Sequence, residues 1–135
     1  MITNLTRLEA SLSLAEETLN KQNLPGFMTK RWKRALEKAK ERLVEQPFFS
    51  WQNNRLLLVS LPNKKIGETD CKFYEATPTE CRRIDKDVLC QAFFEGFPCW
   101  HRAAFLLLQI YFDTKSEMPF AKMENAPKYE GVNCS

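Results

Sequence analysis

Three thiols and the chain's only imidazole fall between Cys81 and His101, in the stretch CRRIDKDVLCQAFFEGFPCWH. The remaining two of the five cysteines, Cys71 and Cys134, lie outside it. Thiolate sulfur and imidazole nitrogen are the donors that zinc favours, and structural zinc sites use four of them in a tetrahedron. The residue types therefore read as one four-ligand zinc site made of Cys81, Cys90, Cys99 and His101. With every position taken by protein, such a site holds a fold together and leaves no room for a reacting water.

The spacing can deliver these donors to one point. Eight residues, RRIDKDVL, separate Cys81 from Cys90. A tight turn at Asp85-Lys86 would set Ile84 opposite Asp87, Arg83 opposite Val88 and Cys81 opposite Cys90. Directly opposed residues of an antiparallel pair have Cβ atoms roughly 4.5–5.5 Å apart, close enough for two thiolates to share a metal. Cys99 and His101 then close the site from the start of the helix that follows Pro98, where a helix N-terminus favours the thiolate a metal needs. Should Cys81 fall short, Cys71 is the alternative fourth ligand.

The run Cys90-Gln91-Ala92-Phe93-Phe94-Glu95-Gly96-Phe97-Pro98-Cys99-Trp100-His101-Arg102-Ala103-Ala104 resembles the second half of the SWIM-type zinc finger. That family reads Cys-x-Cys, a spacer, then Cys-x-His opening an Ala-rich helix. The first half departs from it: position 88 is Val88, and the upstream cysteine is Cys81, so the tight Cys-x-Cys knuckle is replaced by a hairpin. The resemblance covers roughly residues 71 to 112. It implies a zinc-bearing module that binds DNA or protein, and no chemistry.

No catalytic constellation accompanies the site. The chain has no phosphate-cradling Gly-rich loop, and its single histidine is claimed by the metal. A hydrolytic zinc needs an open position and a general base, for which Glu95 is the only nearby residue and is better explained as a solvated side chain. The zinc deaminase pattern fails because Arg102-Ala103 follows His101, with no glutamate in place. The chain is not expected to be an enzyme.

The elements that must position the ligands follow from periodicity and breakers. Leu5, Leu8, Leu12, Ala15 and Leu19 predict an amphipathic helix over 3–22, capped by Thr3 or Thr6. Asn23-Leu24-Pro25-Gly26 breaks it. Thr29 is expected to cap a second helix running to about Gln46, with Trp32, Ala35, Leu36, Ala39 and Leu43 inward and Pro47 as its stop. Phe48-Phe49-Ser50-Trp51 reads as a buried aromatic connector. Leu56–Leu61 and Lys72–Ala76 read as strands, with a polar loop over 62–69 between them. Ala103, Ala104, Leu107, Leu108 and Tyr111 continue a core helix from His101 to about Asp113.

The fold class expected is α+β. A helical hairpin over 1–47 packs on a small antiparallel sheet with a zinc-bearing hairpin and a following core helix, over 48–113. One domain suits a chain of 135 residues. The pattern collapses after Thr114, so 114–135 is expected to be a mobile tail.

Charge supplies the expected partner. Between Lys30 and Glu45 seven basic residues face three acidic ones, a local +4 in a chain whose total is +3. At about 100° per residue, Arg31, Arg34, Lys38 and Arg42 form one stripe. Arg82, Arg83 and Arg102 lie among the aromatics of the finger, with Trp100 expected to be its most exposed ring. Cations interleaved with rings suit single-stranded nucleic acid. The expected function is that of a zinc-stabilised, non-enzymatic accessory protein binding DNA or RNA; the alternative is an adaptor that docks a larger protein partner. No apolar run approaches the roughly 20 residues of a membrane span. With no signal-like apolar run and an odd cysteine count, a cytoplasmic chain with reduced thiols is expected.

Overall fold

The computed structural model describes residues 2, 4–45, 49–52, 55–77 and 79–112. It has the α+β layout expected: two N-terminal helices, a five-stranded antiparallel sheet, and a further helix. The tail expected over 114–135 lies outside the described residues.

Helix α1 spans Leu5–Lys21, and Asn4 caps it by accepting a bond from the Arg7 N–H at 3.0 Å. An Asn side chain at this position satisfies one of the amides that the first turn leaves open. Leu8, Ala15 and Leu19 are buried as their spacing predicts, whereas Leu5 is exposed. Ser11 shares the buried face, its hydroxyl donating to the Arg7 carbonyl at 2.8 Å, so no polar atom is stranded. Helix α2 spans Gly26–Glu45 and begins three residues before the predicted cap. Pro25 supplies its first carbonyl acceptor, taking bonds from the Met28 and Thr29 amides and from the Thr29 hydroxyl. Thr29 thus bonds backwards inside the first turn. Ala35, Leu36, Ala39 and Leu43 are buried along one face of α2.

The sheet runs in chain order, β1 (Phe49–Gln52), β2 (Arg55–Ser60), β3 (Lys72–Ala76), β4 (Cys81–Arg83) and β5 (Val88–Leu89). The segment read as an aromatic connector is therefore largely strand β1, with Phe49 facing Leu58 and Gln52 facing Arg55 across the pair. Only Asn53 and Asn54 separate those paired ends in the chain. In β3 the buried side is that of Ala76, with Tyr74 reaching both buried clusters. This is the face opposite to Phe73. A single 3₁₀ turn, Lys64–Ile66, sits inside the loop predicted over 62–69.

A one-turn helix α3 (Gln91–Phe94) precedes the last helix, α4 (Trp100–Tyr111). Helices α1 and α2 both pack on α4, which in turn lies against β2 and β3. Only Leu106 and Gln109 of α4 are exposed. Phe105 meets Trp51 of β1 with ring centroids 4.9 Å apart, joining the helical layer to the sheet. Among the described residues no helix is long and apolar enough to cross a membrane.

Phe105 is 1 % exposed while its neighbour Leu106 is 37 % exposed. Phe105→Ala should lower unfolding stability by about 3–5 kcal/mol through lost burial and the cavity left behind. Leu106→Ala should cost less than about 1 kcal/mol. Urea denaturation of the two variants reads the difference, and equal losses would contradict the packing described.

Candidate metal centre

The four predicted ligands arrive in two pairs, from the β4–β5 hairpin and from the start of α4. Cys81 opens β4 and is fully buried. Cys90 follows β5; its N–H donates to the Cys81 carbonyl at 3.0 Å. The ladder pairs Arg82 with Leu89 and Arg83 with Val88, so Cys81 stands opposite Cys90 as the spacing predicts. The turn is wider than the predicted two-residue one. Ile84 does not pair with Asp87; its N–H donates instead to the Phe73 carbonyl of β3 at 2.9 Å. Asp87 takes a positive φ of 51°, a left-handed conformation that an Asp tolerates better than most residues. Register survives because the wider turn leaves the count between the cysteines unchanged.

Cys99 is the N-cap of α4, its Sγ accepting from the Arg102 N–H at 3.4 Å. His101 is the second residue of α4 and is 5 % exposed. The donor atoms of Cys81, Cys90, Cys99 and His101 all lie within 4.8 Å of one another. His101 Nδ1 is 3.6 Å from Cys81 Sγ and 3.7 Å from Cys90 Sγ. A tetrahedral ion with sulfur at about 2.3 Å and nitrogen at about 2.0–2.1 Å separates sulfur from nitrogen by about 3.6 Å. The donor spacing thus fits one metal ion. Cys71, the alternative fourth ligand, is buried but is not in this group, and it is disulfide-bonded, contrary to the expectation of reduced thiols throughout. Cys81, Cys90 and Cys99 are free thiols.

The electrostatics also fit a cation. Hydrogen bonding to Cys90 and then Cys99, together with burial, pushes the Cys81 thiol far above the usual cysteine range. Bonds from Cys81 and then Cys99 pull Cys90 far below it. Burial pulls His101 below the usual histidine range, so its ring is neutral, the form that binds a metal. Its Nδ1 faces the thiols, while Nε2 is buried with no hydrogen-bond partner among the described residues. Rings hold the imidazole in place of a second hydrogen bond. Tyr74 stacks on it at 3.7 Å between centroids, and Trp100 lies tilted at 4.4 Å. Tyr74 was not singled out by its sequence; its alternation with buried Ala76 is the signal that marks it as inward.

The eight residues predicted to contact nucleic acid separate into groups. Arg31, Arg34 and Lys38 of α2 border a cleft that also touches Trp100, Cys90, Cys99 and His101. Arg42 lies outside that cleft, in a neighbouring groove that Arg34 and Lys38 also line, together with Glu37, Glu41 and Glu45. Arg82 lies within ion-pairing distance of Glu80 and Asp87, and Arg83 binds Asp85 at 3.0 Å. Burial alone would raise the Asp85 carboxyl, but the Arg83 bond and the Phe73 N–H hold it below its usual range. Arg102 lies between the rings of Trp32 and Phe93, 5.3 and 5.2 Å from their centroids. Trp100 is partly buried; the most exposed ring of the finger is Phe94, at 75 %.

Comparison with protein-family models, curated proteins and solved structures finds no match to this chain.

Cobalt(II) titrated into apo protein should produce the thiolate charge-transfer and tetrahedral d–d absorption of a sulfur-rich site at about one equivalent. Cys81→Ser, Cys90→Ser, Cys99→Ser and His101→Ala should each weaken binding by more than about 100-fold, beyond the effect of losing an outer-shell partner. Cys71→Ser should leave the spectrum unchanged. Retention of the spectrum by Cys81→Ser would remove Cys81 from the ligand set.

Proposed function

We propose that this chain is a zinc-stabilised, non-enzymatic nucleic-acid-binding accessory protein. The observation that carries the proposal is the buried group of Cys81, Cys90, Cys99 and His101, with donors spaced for one ion. Three thiolates and a neutral imidazole suit zinc, which accepts a closed tetrahedron of soft and borderline donors. Four protein donors fill that tetrahedron, which argues for a structural metal over a catalytic one. The Cys-x-His start of α4 keeps the resemblance to the SWIM-type finger as a reading of residues 90–104, and binding of DNA or RNA as what it implies. The basic face of α2 beside the ligand cluster supports the same partner.

A second reading, a protein-interaction adaptor, draws on a different feature. A groove of about 190 Å³ between the helices is lined by Leu19, Leu24, Trp32, Leu36, Leu106 and Ile110. An apolar groove among helices is the form that receives an amphipathic helix of a partner.

Purified protein should carry about one zinc per chain by elemental analysis, and a strong chelator should lower its melting temperature. Zinc-loaded protein should bind single- or double-stranded DNA or RNA weakly and without sequence preference, with affinity falling as salt rises, because each neutralised phosphate releases counterion. Charge reversal of Arg31, Arg34, Lys38 and Arg42 together should abolish that binding. If folded, zinc-loaded protein binds none of these nucleic acids at low salt, the adaptor reading is the better account.

A further inference from the structure

Between α2 and the ligand cluster lies a cleft of about 450 Å³. Its α2 wall presents Arg31, Arg34 and Lys38, all exposed. Its other wall is built from Tyr74, Trp100 and the metal ligands Cys90, Cys99 and His101. No aspartate or glutamate lines it. Among the described residues, none of the three cations forms an ion pair, whereas Arg82 and Arg83 at the hairpin both do. Arg31 is steered instead by the Phe97 ring, 4.0 Å from its guanidinium carbon.

A resident counter-charge does not account for this excess. A divalent ion held by three thiolates and a neutral histidine leaves one negative charge, and the ion's own charge must be included in the balance. One cation offsets it; Arg34 and Lys38 also line the adjoining groove with Glu37, Glu41 and Glu45, but among the described residues neither comes within ion-pairing distance of a carboxylate. The spacing of the three cations along α2, three and then four residues, spreads them over about 10 Å at 1.5 Å per residue. That length spans adjacent phosphates of an extended strand. Trp100 adds an element that charge alone does not need: a large, partly buried ring at the same cleft, braced from behind by its contact with His101.

We infer that this cleft seats a single-stranded nucleic-acid segment, with Arg31, Arg34 and Lys38 on its phosphates and one base stacked on Trp100. The inference rests on the nucleic-acid reading above and narrows it to one strand and one place. A duplex keeps its base faces stacked on each other and offers none to Trp100. The cleft is also in the size class of sites that enclose a small molecule, about 300–1,000 Å³, so it takes a nucleotide and not a double helix. An acidic peptide would satisfy the cations and leave the ring unused, whereas every base carries a π-face. Arg42, Arg82, Arg83 and Arg102 drop out of the contact set, because they lie outside the cleft or are engaged elsewhere.

The test uses the full, zinc-loaded chain and fluorescence anisotropy with a labelled thymidylate 12-mer and a duplex of the same length. Arg34→Gln with Lys38→Gln is compared with Lys64→Gln with Lys65→Gln, a pair outside the cleft lining that removes the same charge. Both variants are first shown to hold one zinc and to melt like the parent. The cleft pair should weaken single-strand binding about tenfold or more and flatten the slope of log affinity against log salt by about 1.4, at about 0.7 per phosphate contact. The Lys64 and Lys65 pair should change affinity less than twofold. Unlabelled 12-mer should quench tryptophan fluorescence in the parent and much less in Trp100→Phe. Equal losses in the two pairs, equal affinity for duplex, or displacement by a glutamate 12-mer as effective as by thymidylate would each overturn the cleft assignment while leaving the broader nucleic-acid reading standing. Absence of binding to any nucleic acid at low salt would overturn both.

Discussion

Three thiols and an imidazole packed in one dry pocket face a charge problem. Ionising one thiol makes ionising the next harder, and burial penalises each charge that is formed. The pocket of Cys81, Cys90, Cys99 and His101 answers it in one of two ways. In the protein alone, hydrogen bonds from Cys81 and Cys99 favour the thiolate form of Cys90. With a divalent ion, all three sulfurs become donors and the repulsion among them turns into shared attraction to one centre. The second state needs four atoms within a few ångströms, and much of the surrounding architecture serves that requirement. The β4–β5 ladder sets Cys81 opposite Cys90, the start of α4 brings Cys99 and His101, and β3 supplies the Tyr74 ring behind the imidazole.

Which features were legible in the sequence follows from how local their causes are. That Cys81, Cys90, Cys99 and His101 could meet at one point was readable because few residue types bind a metal and because strand register depends on a count that the chain carries in plain view. The width of the Ile84–Asp87 turn was not, since it depends on Ile84 finding a better acceptor on β3 than on its own hairpin. The apolar faces of α1 and α2 were readable from spacing, but the start of α2 was displaced because Pro25 offered its carbonyl earlier than Thr29 could cap. Strand β1 was missed because four residues carry too little periodicity, and its identity comes from pairing with β2. Helix α3, a single turn, left no periodic trace. The cleft was invisible for a stronger reason. Its cations and its aromatic wall are far apart in the chain, and only the packing of α2 on α4 brings them together.

The basic stripe shows why residue type alone does not define a surface. Arg31, Arg34, Lys38 and Arg42 share one side of α2, yet Arg34, Lys38 and Arg42 line a groove with Glu37, Glu41 and Glu45, and Arg42 alone of the four does not reach the cleft beside the ligands. Arginines at the hairpin are tied to carboxylates two to five residues away, where short range makes pairing easy. Such exposed pairs contribute little to stability, but they do remove those side chains from the pool of cations free to meet a ligand.

Helix α4 has two occupations. Its first turn carries Cys99 and His101, and its remaining turns are the centre of the hydrophobic core, with Ala103, Ala104, Phe105, Leu107 and Leu108 all buried. Many small metal modules are self-contained and can be moved between proteins as cassettes. This one has no seam at which to cut. A graft taken at Cys81 and ended after His101 would leave behind the helix that orients two of its four donors. A body deprived of the graft would lose the N-cap of its central helix. The candidate centre and the core therefore stand or fall together, and removing either takes part of the other with it.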